Sequence, residues 1–164
     1  MGKATVFVLT ILLGAGLTGT AFADDVVDYT MGYIQINNGD IVTNEGQSFQ
    51  VVSQFGNRGD QVLRNVAVIC SWDSRLGEVG NVYAGPFMTT VKQINAVAGG
   101  ATINGFVIDD VDLIPGQNCN FSFDVLVEAQ RNFVTYLQCW LVSARYVPGQ
   151  GNPIDHAQVT VTVQ

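Results

Sequence analysis

The sequence predicts an all-β protein, an immunoglobulin-like β-sandwich of about seven to eight antiparallel strands. Three observations lead there. No long segment repeats apolar residues at the helical period. Short alternating runs recur instead, each bounded by Gly, Asn, Asp or Pro. One of them, residues 118–127 (NCNFSFDVLV), alternates without a break, so that Cys119, Phe121, Phe123, Val125 and Val127 share a face while Asn120, Ser122 and Asp124 share the other.

Taken in chain order, residues 33–36 begin the first strand, which Asn37-Asn38-Gly39-Asp40 ends. Residues 48–55 (SFQVVSQF) form the second, and residues 62–72 (VLRNVAVICSW) the third, with Val66, Val68, Cys70 and Trp72 on one face. Residues 82–91 read as a weaker edge piece, because Gly85-Pro86 interrupts them. Residues 102–108 follow, stopped by an acidic turn at Asp109-Asp110; these two weaker pieces can be one broken edge strand. Residues 133–144 are apolar on both faces, as a central strand would be. Residues 128–132 (EAQRN) suggest a short helical turn, and residues 148–153 (PGQGNP) a loop. Residues 157–163 (AQVTVTV) close the fold.

The chain opens MGKATVFVLTILLGAGLTGTAFA. Lys3 supplies a positive start, residues 6–17 an apolar stretch, and Ala21-Phe22-Ala23 the small residues that a signal peptidase reads. The apolar stretch is short for the ~30 Å of a bilayer core, and no later stretch is apolar enough to be a second membrane span. The expected organisation is a signal peptide at 1–23, an N-terminal extension at 24–32 and one sandwich domain at 33–164. It implies a secreted or cell-surface location and no membrane span after cleavage.

Removing Lys3 with the signal leaves six basic residues against fourteen acidic ones, a net charge of −8. That balance excludes nucleic acid, whose phosphates need clustered cations, and electrostatic docking on anionic lipid. Three cysteines, Cys70, Cys119 and Cys139, allow one bridge and one leftover thiol where disulfides persist. Cys119 and Cys139 flank the 128–132 turn almost symmetrically, and a bridge between them is expected. Cys70 with Cys139 is the rival pairing, since their strands should be neighbours. Three reduced, buried thiols are the remaining alternative.

Candidate sites are few. Arg58-Gly59-Asp60 has the form of an adhesive tripeptide. Asn57, Gly59 and Asp60 are also the residue types a chain reversal needs, and the turn reading is preferred. The one histidine, His156, has Asp155 beside it, but no G-x-S-x-G elbow accompanies them. No Met follows Cys139 to complete a blue-copper set. Neither catalytic nor metal-ligating residues are assigned, and no cofactor is expected. Asp109, Asp110 and Asp112 form the densest acidic patch, a weak calcium candidate without a recognised loop spacing. Asn120-Phe121-Ser122 fits the glycosylation pattern but lies within a strand, so no modification is expected.

Two blocks carry a resemblance. FQVVSQFGNRGDQVLRNVAV is similar to the N-x-G-D corner of immunoglobulin-like surface-repeat domains of bacteria and archaea, of the cell-adhesion-related type. DLIPGQNCNFSFDVLV resembles the same family's L-x-P-G turn into a long inner strand, with Leu113, Pro115 and Gly116 in place. The resemblance spans about residues 33–163. It implies an extracellular module for spacing, adhesion or assembly, with no catalytic residues. This sequence differs in holding one copy and three cysteines. The expected function is therefore non-enzymatic: cell-surface structure, adhesion or extracellular assembly. The expected partner is another copy, met through an edge such as residues 157–163 or a strand donated by residues 24–32, or another surface protein. The alternative is a monomeric secreted module binding a glycan, small ligand or protein, with Trp72, Tyr83 and Phe87 as candidate aromatics.

Overall fold

The computed structural model describes residues 29–98, 100–143 and 152–164. The expected signal peptide, residues 24–28 of the extension and most of the 148–153 loop lie outside the described residues.

Among the described residues ten strands build two sheets packed face to face, an immunoglobulin-like sandwich. The four-stranded sheet runs β1 (Gly32–Ile36), β3 (Ser48–Asn57), β8 (Asn118–Val127), β5 (Gly77–Tyr83). The six-stranded sheet runs β2 (Ile41–Thr43), β10 (Asp155–Val163), β9 (Val134–Ser143), β4 (Leu63–Asp73), β7 (Ala101–Leu113), β6 (Val91–Ala98). Every pairing is antiparallel except β2 with β10.

The alternation read from the sequence is the burial pattern of the core. The inward residues of β8, Cys119 to Val127, are buried, and so are Val66, Val68, Cys70 and Trp72 on β4. Between the sheets Trp72 stacks on Phe123 at 5.7 Å, and Phe106 meets Phe123 edge-on at 4.8 Å. Aromatic pairs at these separations add to the area they bury.

Several expectations change. Residues 82–91 are not one edge strand. Gly85, at φ 53°, and Pro86 begin a 3-10 segment, Gly85–Thr90, that carries the chain from β5 in one sheet to β6 in the other. The acidic turn at Asp109-Asp110 is instead a bulge inside β7. Asp110 takes φ 55°, the register with β4 shifts there, and the strand continues to Leu113. Residues 128–133 form a plain turn, and they cross from the four-stranded sheet to the six-stranded one. Residues 157–163 lie in β10, which pairs with β9 along its length; on its other side β2 covers only Val161–Val163, and the Thr160 N–H is taken by Asp40, so the edge open to a partner is shorter than expected.

The first strand switches sheets at the Asn37-Asn38-Gly39-Asp40 stop. Asn38 Oδ1 accepts the Val52 N–H of β3 at 2.7 Å, and Asp40 Oδ1 accepts the Thr160 N–H of β10 at 3.0 Å. Asp155 ties the same region across the sandwich, its Oδ2 accepting the Ile34 N–H at 2.9 Å. Side chains thus replace ladder partners that the switch removes.

One core hydroxyl has no such partner. Ser53 is fully buried on β3, opposite Phe121, and its Oγ makes no hydrogen bond. Burying a lone hydroxyl costs about 1 kcal/mol or more. Ser53→Ala is therefore expected to raise stability by about 1 kcal/mol, read as a higher urea midpoint at unchanged slope. A lower midpoint would mean that the hydroxyl has a partner.

Candidate functional site

The Arg58-Gly59-Asp60 loop is the corner between β3 and β4, where the chain leaves one sheet for the other. Asn57, buried, organises it. Its Nδ2 donates to the Gln61 and Leu113 carbonyls at 2.7 and 3.0 Å, and its Oδ1 accepts the Gly59 N–H at 2.9 Å. Its backbone exchanges bonds with Gly116 and Gln117, both at 3.0 Å. The two turn motifs, 57–60 and 113–116, therefore lock to each other. Arg58 is exposed but rests on the Tyr33 ring, 4.1 Å from its centroid, and a Cβ on Gly59 would come 2.9 Å from the Met31 Cβ. Asn57, Arg58 and Gly59 thus all take part in the corner, while Asp60 is exposed.

The bridge joins Cys70 to Cys139, correcting the expected pair Cys119 and Cys139. The reason is topological. Cys119 and Cys139 flank a turn that changes sheets, so they sit in opposite layers. Cys70 and Cys139 face each other directly on the neighbouring strands β4 and β9. Cys119 is a buried free thiol opposite Phe55 on β3. Burial pushes its pKa above the ordinary thiol value, against a smaller lowering by the Gln117 amide.

The acidic patch is spent on structure. Lys92 Nζ donates to Asp109 Oδ2 at 2.9 Å, a bond that raises the lysine pKa. Asp112 Oδ1 accepts the Asn65 N–H across the bulge at 2.9 Å. Among the described residues no three His, Cys, Asp or Glu side chains gather to hold a cation. His156 is exposed on β10, and Asp155 turns its carboxylate to the Ile34 and His156 N–H groups. Asn120 lies on β8 and accepts from Gln54 Nε2 at 3.1 Å. Of the three aromatics proposed for binding, Trp72 is core and Phe87 packs against Phe55 at 6.1 Å; Tyr83 alone is exposed.

Two surfaces remain. The first is the sheet edges. Four strands end the sheets, and three are guarded in ways that prevent further pairing. The Ile34 N–H of β1 is capped by Asp155, β2 has three residues, and β5 shifts register between Val79 and Val82. β6 is different. Its eight residues (VKQINAVA) pair with β7 in unbroken register from Val91 to Ala98, with no proline, and Lys92 is its one charge. β5 lies over β7, so the inner-face residues Gln93 and Val97 of β6 are left exposed. Glu78 and Val79 of β5 face Gln93, Ile94 and Asn95 of β6 across a shallow cleft floored by Asn104.

The second surface is the outer face of the six-stranded sheet. Ala67, Ile69, Val107 and Val142 form a small apolar cluster there, and Trp140 and Ile94 pack against it. Tyr136 and Val134, further along β9, are more than half exposed. These residues were missed in the sequence reading. The one signal in the sequence is a strand apolar on both faces, which by itself marks only a central position.

No family model matches the chain, and no curated protein matches it. Solved structures resemble it in architecture. The CARDB domain of a Pyrococcus furiosus protein is 13% identical, with 81% of this chain and 94% of that one covered at a TM-score of 0.48. A non-cellulosomal cohesin from Archaeoglobus fulgidus is 18% identical, with 81% and 92% covered at a TM-score of 0.38. AvmM, which catalyses macrocyclization in alchivemycin A biosynthesis, is 9% identical, with 82% and 90% covered at a TM-score of 0.48. At identities and scores this low, none of the three carries a residue role or a function to this chain.

Proposed function

We propose that this is an exported, non-enzymatic sandwich that acts in cell-surface structure, adhesion or extracellular assembly, associating with further copies or with another surface protein through the β6 edge. The observation that carries the reading is the unguarded edge itself: eight residues in unbroken register with β7, unpaired on their other side, with Gln93 and Val97 exposed. Such an edge is a template for another strand. Two β6 strands meeting antiparallel about a twofold axis would join the six-stranded sheets into one continuous sheet. A secreted or cell-surface location is supported by the signal-like start of the chain and by the buried Cys70–Cys139 bridge, a bond that persists in oxidising compartments. Among the described residues no helix is long and apolar enough to cross a membrane.

Light scattering coupled to size-exclusion chromatography tests the edge. The secreted protein is expected to show a concentration-dependent dimer or ladder. Gln93→Lys with Val97→Lys, both at exposed positions, is expected to return it to one chain, because like charges then meet across the pairing. A wild-type protein that stays one chain at high concentration would overturn edge assembly and leave the monomeric binding module.

A further inference from the structure

The chain carries a net charge of −7, yet among the described residues one broad band of its surface has no Asp, Glu, Lys or Arg facing outward. β9 has no Asp, Glu, Lys or Arg at all, and the one charged residue of β10, Asp155, turns to the other sheet. Of the charges on flanking strands, Asp73 pairs with Arg75 at 2.6 Å and Lys92 with Asp109 at 2.9 Å. A solvated sheet face ordinarily mixes charged residues into its outward positions.

The band is ordered by the register of the strands. Tyr136, Gln138 and Trp140 share the outward face of β9. Tyr136 and Trp140 are four residues apart, about 13 Å along the strand. Gln138, midway, donates from Nε2 to Gln158 Oε1 of β10 at 2.6 Å, and pairs with Ser71 of β4 on its other side. That bond ties the two amides together and leaves the Gln138 oxygen and the Gln158 amino group for other partners. Trp140 is half-buried against Ile69 and its neighbours, so its ring is held in place; Tyr136 stands 55% exposed.

We propose that this band binds a neutral oligosaccharide lying along β9, with sugar rings against Tyr136 and Trp140 and hydroxyls bonded to the Gln138–Gln158 pair. A pyranose presents apolar C–H groups on its faces and hydroxyls, each both donor and acceptor, around its rim. Two ring platforms separated by a paired-amide row match that alternation. Charge decides against other occupants. The acidic chain repels polyanions, and the band offers a cationic peptide no counter-charge. The span between the rings exceeds one sugar, so a chain of several residues is required. The site is separate from the β6 edge, and its success or failure leaves the assembly reading untouched.

The test is titration of the secreted protein with neutral hexasaccharides, namely the β-linked glucose, xylose, mannose and N-acetylglucosamine series, followed by tryptophan fluorescence and calorimetry. Trp72 is buried, so a change reports Trp140. At least one hexamer is expected to bind, its monosaccharide to bind far more weakly, and Tyr136→Ala to weaken it by about tenfold, the worth of one aromatic contact. Trp140→Phe is expected to retain most of the affinity. Tyr136 is exposed, so its loss spares the fold, and unchanged thermal unfolding checks this. Absence of binding to all four series, binding indifferent to Tyr136→Ala, or preference for a sulfated or uronic-acid chain would each overturn the proposal. So would capture of a protein on the band that Tyr136→Ala abolishes.

Discussion

Replacing Cys70 and Cys139 together by alanine is expected to lower the free energy of unfolding by about 4 kcal/mol, and the melting temperature by roughly 10–15 °C. The bridge closes a sequence separation of 69 residues between two fully buried positions. In the chain-entropy account a loop of that length constrains the unfolded chain by about 4 kcal/mol, against about 3 kcal/mol for the roughly 20 residues between Cys119 and Cys139. The bond also staples the centre of the six-stranded sheet, because β4 and β9 lie side by side in the middle of its order. Urea unfolding of the oxidised protein, the dithiothreitol-treated protein and the double variant checks this, and the last two should agree. Cys119→Ala should keep the bridge and lose far less, since it removes one small buried thiol. Peptide mapping without reduction should recover Cys70 joined to Cys139. A Cys119 peptide in the bridge, or a double variant as stable as the parent, would refute the assignment.

The sequence shows clearly where strands are and poorly where they go. Alternation names the inward residues of β8, a half-buried strand that must alternate whichever neighbour it meets, and of β4, where Ala67, Ile69 and Ser71 on the outer face are buried as well. It does not name the neighbour. Residues 128–133 look the same whether they close a hairpin or change sheets, and the disulfide expectation failed on that choice. The sequence pattern ends β7 early because Asp109-Asp110 has the composition of a turn. Its bulge is sustained by pairings that only tertiary structure supplies, Asn65 with Asp112 and Lys92 with Asp109. β2 has three residues and borrows its place from the C-terminal strand, so no local pattern marks it. The Arg58-Gly59-Asp60 corner was legible because its chemistry is local: Asn57 bonds two residues onward to Gly59. The neutral band was hidden for the opposite reason. Tyr136, Gln158 and Ser71 lie far apart in sequence, and only the register brings them to one surface.

Gly77→Ala is expected to cost about 4 kcal/mol or to prevent folding altogether. Gly77 leaves the Ser74–Leu76 turn at φ 140°, a conformation that residues with a Cβ rarely adopt. A Cβ there would stand 1.8 Å from the Leu126 carbonyl oxygen of β8, which is backbone and cannot rotate away. Strain of that kind alone costs about 1–3 kcal/mol. The carbonyl of Gly77 also accepts two bonds at 2.9 Å, from Trp72 Nε1 and from Asn104 Nδ2, both buried. Moving the backbone to make room for a methyl group would strand two buried donors, each worth a further ~1–3 kcal/mol if left unpaired. It would also disturb the Trp72–Phe123 stack at the centre of the core. Gly39→Ala is the control: nothing lies within 4 Å of a Cβ at that position, and a change within about 0.5 kcal/mol is expected. Urea unfolding of both variants, with near-ultraviolet circular dichroism to follow Trp72, separates the outcomes. A Gly77→Ala protein as stable as Gly39→Ala would mean that β5 does not approach β8 as described. The sheet edge beside the β6 overhang would then have to be redrawn.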